Sequence, residues 1–301
     1  MNKAILTLAF AVSFVLNAPA QLLYKITGNQ LAAPSYVLGT YHFAKVSFVD
    51  SIPGMRAAMD ATSQVYGELN MADEMNPENI QKMQQAMMLP EGITLQSLLT
   101  TDEMARLNAF MKDLLGADMT HPMIAQQMGR MTPEALQTQL TLLTFLKRHP
   151  GYDAQHQFDS YFQEEAAKLG KPVGGFETMD FQIETLFKGR TLERQKQMLM
   201  CLVDNREFME LMSDEIVNAF YSQNLEAISK ALNEKMGGQC DNTPEEENRL
   251  IYDRNANWLK LMPAIMADKP TLFVVGAAHL PGERGVLQLL RHAGYKVEGV
   301  K

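Results

Sequence analysis

The chain has 301 residues, 46% hydrophobic and 21% charged, with a formal net charge of −8. That length buries a sizeable core and allows one large domain or two small ones. An acidic balance without a basic face excludes nucleic acid as a partner.

The first residues form a separate unit. Met1-Asn2-Lys3 is a short positive start, residues 4–16 are almost wholly apolar, and Ala18-Pro19-Ala20 places small residues before Gln21. This is the three-part pattern of a secretory signal peptide cleaved after Ala20, too short for a spanning helix with proper flanks. An uncleaved anchor is the alternative reading. No later apolar stretch is long enough to cross a membrane. The expectation is therefore a periplasmic or secreted protein with no stable membrane insertion after cleavage. In an oxidising compartment Cys201 and Cys240 form one disulfide or stay two buried thiols, and spacing alone does not choose between them.

Residues 22–26 read as a strand, and Tyr36-Val37-Leu38 as a second that pairs with it in a hairpin and stops at Gly39. Met55, Ala58 and Met59 give helical spacing over 54–61, and residues 64–69 form the next strand. Strand, helix, strand implies a right-handed crossover and parallel pairing. From 76 to 116 the pattern is helical, broken at Pro90-Glu91-Gly92, with Thr100 or Thr101 as an N-cap. Thr132-Pro133 opens a helix that ends near His149-Pro150, and 159–169 is another. Residues 171–177 form a short strand ending in an acid, followed by helices near 179–188, 191–213 and 214–235. The loop 237–244 precedes a long helix from Glu245 to about Met266. The strand 271–276, a helix over 282–293 and a strand over 295–300 close the chain, again parallel by the crossover rule. The fold class is α/β: a mixed, partly parallel sheet made mainly from both ends of the chain, with a large helical insert over about 76–170 and 179–266.

Two strand-like runs end in the same way, Gly39-Thr40-Tyr41-His42 and Gly276-Ala277-Ala278-His279, in a chain with six histidines. Ligands of open α/β sheets bind beyond the carboxyl ends of the strands, where His42, Glu68, Glu177 and His279 all fall. Two imidazoles with one or two carboxylates suit a divalent metal with positions left for water. A single Gly-x-x-His is also what an ordinary capped loop shows. His121, His149, His156 and His292 read as surface residues. A P-loop, Gly-x-Ser-x-Gly, His-Glu-x-x-His and Cys-x-x-Cys are absent. Many of the 22 methionines lie in the helical region, and they read as adaptable core filler rather than a copper surface.

The chain resembles the TraB/PrgY/GumN family, which is related to the Tiki metalloproteases. The matching pieces are Leu23-Tyr24-Lys25-Ile26-Thr27-Gly28 with the run from Pro34 to His42, then Val65-Tyr66-Gly67-Glu68-Leu69, and Asp159 with the run from Lys171 to Thr178 and Gln182. Asp253-Arg254-Asn255, the run from Val275 to Gly282, Gly285 and Gly294-Tyr295-Lys296-Val297 complete them. The resemblance implies a single domain over 21–301 acting as an exported metal-dependent hydrolase on a peptide or other small exported substrate. It implies His42, Glu68 and His279 as metal ligands, with zinc, manganese or cobalt all compatible. Glu68 or Glu177 would serve as general base. Arg254 would stabilise an oxyanion or anchor a substrate carboxylate, unless it pairs on the helix surface with Glu246 or Glu247. Asp159 and Gln182 come behind these as candidate site residues. A metal-free histidine-based hydrolase or lyase, and a non-catalytic binder of peptide or glycan, are the alternatives. The oligomeric state is open.

Overall fold

A computed structural model describes residues 21–153 and 156–301. The signal-peptide reading of residues 1–20 falls outside the described residues. Six strands form one sheet: β1 (Leu23–Thr27), β2 (Ser35–Thr40), β3 (Gln64–Leu69), β4 (Val173–Glu177), β5 (Thr271–Gly276) and β6 (Lys296–Gly299), in the order β4-β3-β5-β2-β1-β6. The pairs β2/β5, β5/β3 and β3/β4 are parallel, whereas β1 is antiparallel to both β2 and β6. Five strands thus share one direction and β1 alone opposes them.

The sheet is made mainly by the chain's two ends, as the sequence implies, but its neighbours differ from the simplest crossovers. Strands β2 and β3 do run parallel, yet β5 lies between them and bonds to both. The reason is hydrophobicity: Leu272-Phe273-Val274-Val275 is apolar on both faces and fully buried, which suits the interior of a parallel sheet. Likewise β5 and β6 share a direction without touching, because the β1–β2 hairpin occupies the space between them.

Between these ends lies the helical region. Its capping agrees with the sequence: Thr100 exchanges backbone and side-chain bonds with Glu103 at the head of Thr101–Leu115, and Thr132 with Pro133 opens Pro133–Arg148. The expected helices 191–213 and 214–235 are instead three, Leu192–Asp204, Arg206–Tyr221 and Leu225–Asn233. Asn205 breaks the first run with φ −119° and ψ 37°, and Gln223 turns the chain with a left-handed φ of 57°. The long helix after the 237–244 loop passes through a π turn at Asn248–Tyr252 before Asp253–Asp268.

Two main cores result. One joins the sheet to Phe158, Phe162, Phe220 and Trp258. The other lies wholly among helices, around Leu107, Met111, Leu136, Leu140 and Leu199. Met104 and Met111 are buried there, as core filler, while Met123 is exposed. Cys201 and Cys240 form a disulfide with Cα atoms 5.5 Å apart. Beside it Arg194 bonds the carbonyls of Gln239 and Asp241, and Arg190 and Arg194 both bond Glu246. Among the described residues no helix is long and apolar enough to cross a membrane.

Candidate functional site

Because β2, β3, β4 and β5 run the same way, their carboxyl ends open on one edge of the sheet. The two Gly-x-x-His segments are neighbours there, with Gly39 opposite Val275 and Thr40 opposite Gly276. A Cβ on Gly39 would lie 2.8 Å from Leu280 Cδ1 and 3.1 Å from Ala277 Cα, so a side chain would force the two turns apart. At Gly276 a Cβ would sit 3.2 Å from Glu68 Oε1, which instead accepts the Gly276 N–H at 2.8 Å.

Glu68, Arg254, Glu177 and His279 form one bonded cluster. Arg254 donates through Nη2 to Glu68 Oε2 at 2.5 Å, through Nε to Glu177 Oε1 at 2.7 Å, and through Nη2 to Glu177 Oε2 at 2.9 Å. Its Nη1 lies 3.1 Å from His279 Nε2. Trp258 Nε1 donates to Glu177 Oε1 at 2.8 Å, and Gln182 Nε2 donates to Glu177 Oε2 at 3.2 Å. Both Glu177 oxygens are therefore engaged. The surface pairing of Arg254 with Glu246 or Glu247 is not formed: Arg254 is 5% exposed, Glu246 takes Arg190 and Arg194, and Glu247 takes Lys235.

The protonation of His279 follows from its partners. Asn255 Nδ2 donates to the carbonyls of His279 and Arg284, so its Oδ1 is an acceptor, and His279 Nδ1–H donates to it at 2.7 Å. Burial lowers the imidazole pKa to about 4, with the nearby Arg254 charge acting in the same sense and Glu68 opposing. His279 is thus neutral with its lone pair on Nε2, where it accepts from Arg254. For Glu68, burial works upward. Positive charge from a protonated His279, from Arg254 and from His42, together with the Gly276 N–H, outweighs it and brings the carboxyl to about 2. Since His279 is neutral near pH 7 while His42 keeps its charge, the Arg254 and His42 charges and the Gly276 bond are the lasting causes.

His42 stands apart at the rim. Its Nδ1 is 2.7 Å from Asp159 Oδ2, Thr40 Oγ1 donates to Asp159 Oδ1, and its side chain is 74% exposed. The Asp159 charge and hydrogen bond raise the imidazole pKa to about 9, and solvent around so exposed a ring screens part of that attraction. Among the described residues no hydrogen bond joins His42 to Glu68, Arg254 or His279, although all four line one cleft. His149 is half-buried against Phe145 rather than a surface residue, and His121, His156 and His292 are exposed.

The donor set fits a divalent ion in kind. Each imidazole is held through Nδ1 by an oxygen, Asp159 for His42 and Asn255 for His279, so Nε2 is the atom a metal would take, from His42 with loss of its proton, and Glu68 adds a carboxylate. The buried charges also suit a cation, since one guanidinium faces two carboxylates. Among the described residues, however, no three of His, Cys, Asp and Glu are gathered closely enough to hold an ion. Arg254 would have to release His279 and Glu68 while Glu177 retains it.

Two residues of the Arg254 helix complete the site. Asn255 fixes the His279 tautomer, and Trp258 lies against the His279 ring at 4.4 Å between centroids. Their signal in the sequence was helical spacing, since 254, 255 and 258 share one helix face. The sequence comparisons bear on the same segments. A family model described as the TraB/PrgY/gumN family matches residues 22–299. Metalloprotease TIKI2 of Danio rerio is 27% identical over 308 residues, covering 88% of this chain and 58% of that protein. Metalloprotease TIKI1 of Homo sapiens is 26% identical over 306 residues, covering 88% and 59%. The Metalloprotease TIKI homolog of Nematostella vectensis is 22% identical over 316 residues, covering 89% and 65%. The chain thus spans about three fifths of the length of these relatives. No solved structure matches it.

Proposed function

The chain belongs to the TraB/PrgY/gumN family, and from that premise we propose that it is a metal-dependent hydrolase that cleaves peptide bonds in the cleft beyond β2, β3 and β5. One observation carries the reading: two imidazoles, each held through Nδ1 by an oxygen, and the Glu68 carboxylate line a single open cleft. That relatives of the chain are metalloproteases supports it.

His42, Glu68 and His279 are the residues that would hold the ion. An ion held there would supply Lewis-acid polarisation of the scissile carbonyl and would make water more acidic. The chain's own groups do the rest. Asn255 keeps the His279 lone pair on Nε2, and Asp159 orients His42. Arg254 places positive charge where a carbonyl oxygen gains negative charge. Glu68 accepts the proton of the attacking water, whose oxygen bonds to the carbonyl carbon. The C–N bond then breaks, and the proton passes to the leaving amine. Glu177, whose side chain is 4% exposed against 20% for Glu68 and does not line the cleft, positions Arg254 rather than moving a proton.

A second reading has its own support. The guanidinium already occupies the His279 lone pair and one Glu68 oxygen, as a tethered cation in a metal-free histidine-based hydrolase would. Peptide cleavage assayed after exhaustive chelation, then with zinc, manganese or cobalt restored, separates the two. Metal dependence requires loss and recovery of rate. Undiminished cleavage after chelation selects the tethered cation, and no cleavage under any condition leaves a binding protein. Export belongs to the same proposal and is supported by the Cys201–Cys240 disulfide.

A further inference from the structure

The cleft that holds the polar cluster is polar at one end only. Beyond His279 it runs between the Met179–Leu186, Arg206–Tyr221 and Leu225–Asn233 helices, where Leu186, Ile216, Phe220, Ile228 and Leu232 line it, and it encloses about 290 Å³. Phe220 and Ile228 belong to the sheet core, so the floor of this half is continuous with that core. Leu186 and Leu232 form the lip, 37% and 45% exposed. The charged groups lining the cleft are His42, Glu68 and Arg254, all at the sheet end.

This asymmetry has chemical consequences. A charged side chain entering the apolar half would lose water and meet no counter-charge. A sugar hydroxyl would lose its hydrogen bonds to water with few protein groups to replace them. An aliphatic or aromatic side chain would instead cover leucine surface that now faces solvent. We propose that the apolar half is a specificity subsite for an uncharged aliphatic or aromatic side chain of a peptide, adjacent to the bond presented to Glu68 and His279. The occupant is a peptide because the subsite runs continuously into the polar cluster. The position of the bond rests on the hydrolase reading, whereas the subsite itself does not.

The test uses blocked tetrapeptides that differ at one position: Leu, Phe, Asn, Asp or Lys. Binding is followed by calorimetry and by fluorescence of Trp258, the chain's one tryptophan, which lies against the His279 ring. Cleavage is followed separately. The Leu and Phe peptides should bind about ten- to a hundred-fold tighter than the Asp and Lys peptides. Leu232→Glu, at an exposed position, should erase most of that preference while the protein unfolds at an unchanged temperature. Equal affinity across the series overturns the subsite, as does a preference that survives both Leu232→Glu and Leu186→Glu. Tighter binding of a neutral hexasaccharide than of the Leu peptide overturns the choice of peptide. Selective binding without cleavage sinks the hydrolase reading and leaves the subsite standing. Cleavage indifferent to the varied residue does the reverse.

Discussion

Arg254 is the residue on which the charge balance of the site turns, because one guanidinium bonds both Glu68 and Glu177 in a nearly dry setting. Arg254→Ala leaves two carboxylates without that cation and should destabilise the protein by about 3–5 kcal/mol, read by urea unfolding. Arg254→Lys keeps the charge but not the planar fork, so it should recover only part of the loss. Stability unchanged in the alanine variant would contradict the account. His42 tests the rim. Its folded pKa lies above the ordinary value, so the Asp159 pairing is fully present below about 6.5 and is lost as pH rises through about 9. The ring's ¹H–¹³C resonance should titrate well above the normal histidine range, and Asp159→Asn should move the midpoint down. A midpoint indifferent to Asp159→Asn rules the pairing out. Of the site residues, His42, Glu68, Glu177 and His279 were legible in the sequence as lying at or just beyond the ends of strands, and Arg254 through the family resemblance. Asn255 and Trp258 were not, because their roles depend on how the Asp253–Asp268 helix meets His279 after a π turn, and strand-end reasoning does not see a helix face.

At the scale of elements, strands and caps were readable where the signal is local, as at Thr100, Thr132 and the Gly39 and Gly276 stops. Adjacency was not. The run of four apolar residues in β5 marks a buried strand, but nothing local says that it enters between β2 and β3. The same holds for the split at Asn205, where an unbroken helical pattern gives way to a loop-like backbone beside the disulfide. The disulfide spans 39 residues of sequence and ties the Leu192–Asp204 helix to the segment leading into the Arg254 helix. Cys240→Ser, compared with the oxidised parent, should cost about 4 kcal/mol by loop entropy. It should also loosen the loop that Arg194 holds through Gln239 and Asp241, visible as faster amide exchange there. Equal stability of the two proteins would show that the arginine–Glu246 network alone fixes this region.

For the whole molecule, the division of labour follows from where the two ends of the chain meet. The sheet edge supplies the reactive groups from β2, β3 and β5, while the helices inserted between the ends supply the cleft walls and rest on a core of their own. The fold class and the meeting of the chain's ends could be read from the pattern of elements. The apolar wall could not, because Leu186, Ile216 and Leu232 belong to three different helices that only packing brings together. The measurement that bears most directly on the central claim, one hydrolytic site shared by Glu68 and the His279 turn, is a double-variant cycle in kcat/KM for peptide cleavage. The account predicts that Glu68→Gln and His279→Ala each lower it at least about a hundred-fold, and that the double variant is scarcely worse than either. Folded single variants that cleave at the parent rate, or losses that simply multiply in the double variant, would contradict it.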